Sequence, residues 1–232
     1  MEEGFESSAW NYLENLKWGE YMIVKHNSND PTHLLFYILV KQLKENNIPF
    51  VVIDVLDKLY LLKMHLTSAG INTTILDDIP VIKLGGVRYT GKITNLIERI
   101  EISQDTPVWT RHYRDALHRI EKKKLSKYVK VIVGIDSLLQ LYEDNIWELN
   151  ILMLEGFASM MGDKNSKGIV FLNSSVLNPK TVLKIEEIFP RVLRLELKEG
   201  ELILRIEKSV DFGEYGREIK VSPQQLQEKL RM

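Results

Sequence analysis

The stretch Tyr21–Glu45 reads YMIVKHNSNDPTHLLFYILVKQLKE and decides the fold, because it sets a strand, a loop and a helix in succession. The run Tyr21–Val24 is apolar and predicts a buried strand, and the polar loop Lys25–Asp30 follows it. Pro31 suits the first position of a helix, and Asp30 is placed to cap that helix. Apolar residues then recur at helical spacing, which predicts a buried stripe at Leu34, Leu35, Ile38, Leu39 and Leu43. In doubly wound α/β proteins the first unit of this kind usually holds the ligand.

The loop departs from the phosphate-binding pattern G-x-x-x-x-G-K-[ST] at each of its defining positions. His26 and Pro31 stand at the two glycine positions, where the backbone must adopt φ values that other residues resist. Thr32 replaces the lysine, so the charge that neutralises phosphate is missing, and His33 replaces the hydroxyl residue. We therefore expect no nucleotide and no cofactor at the vestigial phosphate loop, which comprises His26, Asn27, Ser28, Asn29, Asp30, Pro31, Thr32 and His33.

Further apolar runs continue the α/β pattern. Strands are predicted at Phe50–Ile53, Thr73–Leu76, Val81–Leu84 and Gly168–Leu172, and an antiparallel hairpin at Arg191–Leu197 and Leu202–Glu207. Helices are predicted from Leu59 to near Gly70, from Pro107 with Val108, Trp109, Tyr113, Ala116, Leu117 and Ile120 facing inward, at Ile146–Met161 and at Val182–Ile188. Periodicity leaves Ile93–Ile100 open between helix and strand. We expect one domain over residues 1–232, with an N-terminal helical segment at 1–17 and a C-terminal helix at 222–232.

A second landmark is the run Val129–Ser137, which reads VKVIVGIDS. An apolar strand that ends in aspartate is the Walker B pattern, in which the carboxylate helps to hold magnesium. Asp136 and Ser137 are thus either a retained metal or ligand contact, or a strand end whose aspartate caps the following segment.

With both landmarks placed, the chain resembles the KaiC/RecA superfamily of P-loop ATPases from about Trp18 to Val221, and especially a small archaeal family of degenerate KaiC relatives. The matching pieces are Leu16–Glu20, the VVID second strand, the IDS end of Val129–Ser137 and the closing hairpin with LRL and LRIEK. The resemblance implies a three-layer αβα fold with a mainly parallel sheet and an antiparallel C-terminal hairpin. Relatives carry a glutamate after the second strand to orient the attacking water, and here Leu56 or Asp57 falls at that place.

The leading hypothesis is a non-catalytic RecA/KaiC-like domain that binds a protein or peptide partner, with homo-oligomer formation a further possibility. One alternative is a nucleotide-binding protein or NTPase with an atypical loop, in which Asp136 holds magnesium and Lys25 or Lys208 supplies the missing charge. Another is nucleic-acid binding through a basic cluster of Arg119, Lys122, Lys123, Lys124, Lys127 and Lys130, although such a cluster is more typical of a solvated helix C-terminus, where cations are favourable.

Two pairs of side chains are further candidates for a site of chemistry. His26 and His33 flank the loop and would make a metal or proton-transfer pair, but two histidines without carboxylates are more typical of surface residues. Asp54 and Asp57 would make a general acid–base pair, but no nucleophile is identifiable near them in the sequence. We therefore name no catalytic residue and no metal ligand.

Composition limits the class of protein. The chain has 232 residues, a formal net charge of −1 and no cysteine, which excludes disulfides, thiolate nucleophiles and cysteine-based metal sites. Near-neutral charge argues against a protein built mainly to hold nucleic acid or anionic lipid. The acidic start and the lack of a run of eighteen apolar residues predict a cytoplasmic protein without a membrane segment. Abundant Lys, Glu and Ile would suit a hyperthermophile.

Overall fold

The structure, a computed structural model, describes residues 5–92, 95–103, 105–122 and 127–231. Its strands are β1 (Tyr21–His26), β2 (Phe50–Val55), β3 (Val81–Leu84), β4 (Leu96–Ile100), β5 (Tyr128–Val133), β6 (Ser166–Asn173), β7 (Arg191–Lys198), β8 (Glu201–Lys208) and β9 (Glu218–Val221). Within the described residues they form one sheet in the order β4-β3-β2-β5-β6-β1-β7-β8-β9. Along this sheet order, every pair of neighbouring strands from β4 as far as β7 is parallel, whereas β7–β8 and β8–β9 are antiparallel. The predicted mainly parallel sheet with an antiparallel C-terminal hairpin is confirmed, and β9 extends that hairpin by a strand that was not predicted.

Helices cover both faces of the sheet. They are α1 (Phe5–Glu14), α2 (Thr32–Glu45), α3 (Lys58–Ser68), α4 (Thr106–Lys122), α5 (Ile135–Gln140), α6 (Ile146–Ile151), α7 (Pro179–Ile188) and α8 (Pro223–Arg231). Alternate residues of each strand point to opposite faces, so Met22 and Val24 join a core with α1, α2, α3 and α8. Tyr21 and Ile23 join the other core, with α4, α5, α6 and α7. This is the three-layer arrangement that the sequence predicted.

Three local predictions need correction. The segment Thr73–Leu76 is a 3₁₀ turn at Thr74–Leu76 and not a strand, because the Asn72 side chain accepts a hydrogen bond from the Thr74 N–H and closes the chain into a turn. The helix predicted to Met161 is regular only to Ile151, and continues as a π-helical turn and a 3₁₀ turn. In α4, Val108 faces solvent, although the other residues of the predicted stripe are buried.

The segment Ile93–Ile100, for which periodicity allowed either a helix or a strand, contains the edge strand β4. The first two residues of that segment, Ile93 and Thr94, lie outside the described part. Among the described residues, no helix is both long enough and apolar enough to cross a membrane.

Candidate functional site

The candidate site lies at the edge of the sheet where the parallel strands end. β6 lies between β1 and β5, so the last residues of these strands, with the loop before α2, meet at one place. His26 was predicted to belong to the loop, but it is the last residue of β1. It pairs in register with Asn173 of β6. Thr32 and His33 begin α2. The structure thus brings the vestigial phosphate loop next to the ends of β5, β6 and β7.

Asp30 closes the loop on itself. One of its carboxylate oxygens accepts a hydrogen bond from the Asn27 N–H at 2.6 Å, and the other accepts one from the Leu197 N–H of β7 at 2.9 Å. The prediction that Asp30 caps α2 is therefore wrong, because two other backbone donors take its carboxylate. Pro31 holds the N-cap position, and no side chain caps the helix there. An aspartate consequently occupies the turn in which a phosphate-binding loop presents free N–H groups.

Side chains from β6, from the 3₁₀ turn that follows it and from β7 hold the rest of the loop in place. The Ser28 N–H donates to the Ser175 hydroxyl at 3.2 Å, and the Asn173 amide donates to the Ser28 hydroxyl at 3.0 Å. Arg194 of β7 donates to the Asn27 side-chain oxygen at 3.1 Å. Sequence reasoning missed Asn173, Ser175 and Arg194, because their contacts with the loop join residues about 150 positions apart and leave no periodic signal.

Asp136 does not end a strand as predicted. Strand β5 stops at Val133, and Asp136 lies in the first turn of α5, where it is buried. The chain changes direction at Gly134, whose φ of +83° is readily adopted only by glycine, and an added Cβ would overlap the Val55 carbonyl oxygen. One carboxylate oxygen of Asp136 accepts a long hydrogen bond of 3.4 Å from the Asn173 N–H, and the Ser137 N–H bonds to the Gly134 carbonyl. Asp136 therefore joins α5 to β6.

Three histidines line a cleft of about 190 Å³ between the loop and α3. His26 is buried, and its Nδ1–H donates to the Asn27 carbonyl oxygen at 2.9 Å, which leaves Nε2 as an acceptor. Among the described residues that Nε2 has no hydrogen-bond partner. Burial lowers the pKa of His26, although the carbonyl contact opposes this. The other residues that line the cleft are Ser28, Asp30, Thr32, His33, Lys58, Leu61, Leu62, His65 and Asn173.

His33 lies edge-to-face with His65, their ring centroids 5.6 Å apart. Burial, and then the neighbouring His65, lower the pKa of His33 to about 4, so the imidazole is neutral at physiological pH. The described residues contain no group of three or more histidines and acidic residues that could hold a metal ion. Besides the histidine rings, the cleft therefore offers apolar side chains of α3, the ammonium group of Lys58 and the carboxylate of Asp30.

Two carboxylates at the end of the second strand, those of Asp54 and Asp57, belong to an ion-pair cluster around a buried lysine. Asp54 lies within β2, and its carboxylate is 2.8 Å from the ammonium group of Lys83, a residue of β3 that is almost wholly buried. Asp57 lies 2.5 Å from the same ammonium group and also accepts hydrogen bonds from the N–H groups of Val87 and Arg88. Both Leu56 and Asp57 adopt left-handed backbone conformations, with φ of 49° and 65°. Lys83 was not among the predicted site residues, although a lysine inside the apolar run VIKL indicates a buried charge.

The pKa values of the two carboxylates in this cluster are shifted in opposite directions. Burial raises the pKa of Asp54 and outweighs the hydrogen bonds from Lys83 and the Leu59 N–H. Burial also acts to raise the pKa of Asp57, but the hydrogen bonds from Lys83, Val87 and Arg88 outweigh it and lower that pKa.

The lysines considered as substitutes for the phosphate-loop lysine are engaged elsewhere. Lys25 forms ion pairs with Glu186 of α7 and Glu207 of β8. Lys208 donates to the backbone carbonyl oxygen of Glu186 at 2.6 Å. Both ammonium groups are therefore bound to α7, and that of Lys25 is bound to β8 as well.

The predicted basic cluster is not one surface. Lys130 is buried, with its ammonium group over the rings of Tyr21 and Tyr128. Arg119 forms an ion pair with Glu98 of β4. Lys123 and Lys124 lie outside the described residues.

Three solved structures from the archaeon Pyrococcus horikoshii have similar folds. PH0250 superposes with a TM-score of 0.74 at 22% identity, over 91% of this chain and 97% of that one. The KaiC-like protein PH0186 gives a TM-score of 0.57 at 12% identity, over 87% and 84%. PH0321, solved in complex with an unknown peptide, gives 0.60 at 11% identity, over 94% and 99%. The likeness to the KaiC-like protein confirms the predicted fold class.

Sequence comparison supplies the family. Curated protein sequences give no significant match. A family model described as "Pyrococcus protein of unknown function, DUF257" matches residues 11–220, which is most of the chain. The chain therefore belongs to this archaeal DUF257 family, whose fold here is that of the KaiC-like proteins.

Proposed function

We propose that this protein is a RecA/KaiC-like domain that does not hydrolyse nucleotides and that acts by binding a protein or peptide partner. The observation that carries the proposal is the carboxylate of Asp30, which occupies two backbone N–H groups at the place where a phosphate would need free donors. A phosphate entering here would meet a negative charge and would have to break both bonds, each worth about 1.5–3 kcal/mol when the acceptor is charged. Pro31 supplies no N–H at all.

The groups that catalysis would need are also engaged. Asp136 accepts a hydrogen bond from β6, and Asp57 is held by Lys83 and two backbone N–H groups, so neither carboxylate is placed to hold magnesium or to orient water. The NTPase alternative needs a substitute lysine, and the ammonium groups of Lys25 and Lys208 are both bound to α7. These contacts favour a structural role for the strand-end charges.

A peptide is the partner that the remaining surface fits best. The cleft beside the loop carries the apolar side chains of Leu61 and Leu62, together with the ammonium group of Lys58, which suits an acidic or carbonyl group of a peptide. PH0321, which shares the fold, was solved with an unknown peptide, and this supports a peptide in the present protein as well. Nucleic acid is less favoured, because Lys130 of the basic cluster is buried.

Two assays test the proposal. Phosphate release from MgATP should stay at the background level for the wild type and for Asp136→Ala, whereas turnover that Asp136→Ala abolishes would establish the NTPase alternative. For the partner, a display library of twelve-residue peptides is selected on the wild-type protein. The selected peptides should bind the wild type and Lys164→Glu, a control at an exposed lysine before β6, but not Lys58→Glu in the cleft. Failure to enrich any peptide, or equal binding to both variants, would contradict peptide capture at this cleft.

A further inference from the structure

An apolar surface on α6 and α7 is left uncovered within the described part of the chain. None of its residues lines the cleft of the candidate site. Trp147 is 72% exposed and Ile146 60%, while Leu154 and Leu183 are both 64% exposed. The two helices touch through Lys184, whose ammonium group lies 3.4 Å from the Asn150 side-chain oxygen. These residues therefore form one surface, which we call the α6–α7 face.

The size of the α6–α7 face matches the apolar part of a stable interface. A tryptophan carries up to about 250 Å² of surface, so the four side chains together expose apolar area on the order of 450 Å². A standard interface buries about 800 Å² on each partner, of which roughly 56–65% is apolar. Tryptophan is also the residue most enriched among those that dominate binding energy.

The exposed stripe of α7 is complementary to itself. Lys180, Leu183 and Glu187 are all exposed and recur at helical spacing, with a cation at one end, a leucine in the middle and an anion at the other end. When two such stripes pack antiparallel, the Lys180 of each copy lies against the Glu187 of the other copy, which gives two ion pairs. The parallel arrangement would instead bring like charges together.

The exposed residues of α6 and of the turn after it can also pair with an antiparallel copy of themselves. Trp147 lies on α6 and Leu154 on the π-helical turn that continues it, and both are exposed, with the polar and exposed Asn150 between them in the chain. An antiparallel copy therefore sets Trp147 against Leu154. A contact between identical surfaces that are self-complementary is the isologous kind, which closes as a two-fold dimer.

We propose that two copies of this chain associate through the α6–α7 face, with α7 packed antiparallel to its counterpart and Leu183 at the two-fold axis. This dimer goes beyond the proposed peptide-binding function and does not depend on it, because the α6–α7 face and the cleft share no residue.

Sedimentation velocity of the full chain between about 1 and 100 µM tests the dimer, with the 27.0 kDa chain expected at twice its mass at the upper concentrations. Lys180→Glu and Glu187→Lys should each weaken the dimer at least tenfold, because each creates two like-charge contacts. The double variant Lys180→Glu/Glu187→Lys should restore wild-type affinity, which only a Lys180–Glu187 contact between copies explains.

Leu183→Glu should leave a monomer, since it buries two carboxylates at the axis. Phe212→Ser is the matched control: Phe212 is 85% exposed on another surface, so its removal should leave the dimer unchanged. A wild-type monomer at 100 µM would overturn the proposal. So would a dimer that is indifferent to Leu183→Glu, or single charge variants that the double variant does not rescue.

Discussion

Replacement of Lys83 by methionine should destabilise the protein more than most single substitutions, because it removes the cation between two carboxylates. Lys83 is 1% exposed and Asp54 is 2% exposed, so water cannot replace the lost ammonium group. Methionine has a similar length and fills the space of the aliphatic stem. The effect of Lys83→Met therefore reports the loss of charge rather than the loss of volume.

The expected cost follows from which carboxylate is left unpaired. Asp57 keeps its hydrogen bonds from the Val87 and Arg88 N–H groups, both at 2.9 Å, and is partly open to solvent. Asp54 keeps one bond, from the Leu59 N–H at 2.8 Å, and is otherwise buried. Removing one partner of a buried ion pair costs about 3–5 kcal/mol, and we expect Lys83→Met to fall in that range.

Equilibrium unfolding in guanidinium chloride, followed by tryptophan fluorescence, measures this cost as a change in midpoint at constant slope. The double variant Lys83→Met/Asp54→Asn should recover a large part of the loss, because the uncompensated charge is gone while the Leu59 N–H retains an acceptor. Lys92→Met is the matched control, since its ion pair with Asp78 is exposed and its loss should leave the unfolding midpoint nearly unchanged. A loss below about 1 kcal/mol for Lys83→Met, or no recovery in the double variant, would refute the structural role of the cluster.

Three further predictions concern the candidate site. Asp30→Ala should lower the free energy of unfolding by about 1–3 kcal/mol, because two backbone N–H groups lose their acceptor; an unchanged unfolding midpoint would show that the loop is held by other contacts. Gly134→Ala should destabilise by more than about 1 kcal/mol, since alanine resists a φ of +83° and its Cβ would overlap a backbone carbonyl; a neutral effect in the same unfolding assay would contradict the turn. The pKa of His33 is about 4 when folded and about 6.5 when unfolded, so the unfolded state binds more protons between these values and stability falls as pH drops through that window. Allowing for partial exposure, His33→Gln should reduce this fall by about 1–2 kcal/mol, and an unaltered pH profile of stability would count against the buried neutral imidazole.

The parts of the fold that were predictable are those that leave a local pattern. The stripe of α2 from Leu34 to Leu43 repeats with the period of a helix, and all of its predicted members are buried. The hairpin of β7 and β8 alternates around the turn at Glu199 and Gly200, whose positive φ values close it. β9 escaped prediction because it has four residues, and two of them, Glu218 and Lys220, are charged.

The details of the candidate site depend on contacts between distant parts of the chain. Asp30 has the right position for a helix cap, but the Leu197 N–H, which is far away in sequence, competes for its carboxylate and prevails. Asp136 was expected at a strand end, yet the strand stops earlier because Gly134 turns the chain into α5. The absence of glycines and lysine from the loop was readable from the sequence, whereas the bonds that close the loop were not.

The most direct test of the central claim is a calorimetric titration of the full chain with MgATP. If the loop is closed by the Asp30 carboxylate, no saturable heat should appear, and any dissociation constant should be weaker than about 1 mM. Micromolar binding that Asp136→Ala weakens would contradict the account, because it would mean that the loop opens and accepts a phosphate.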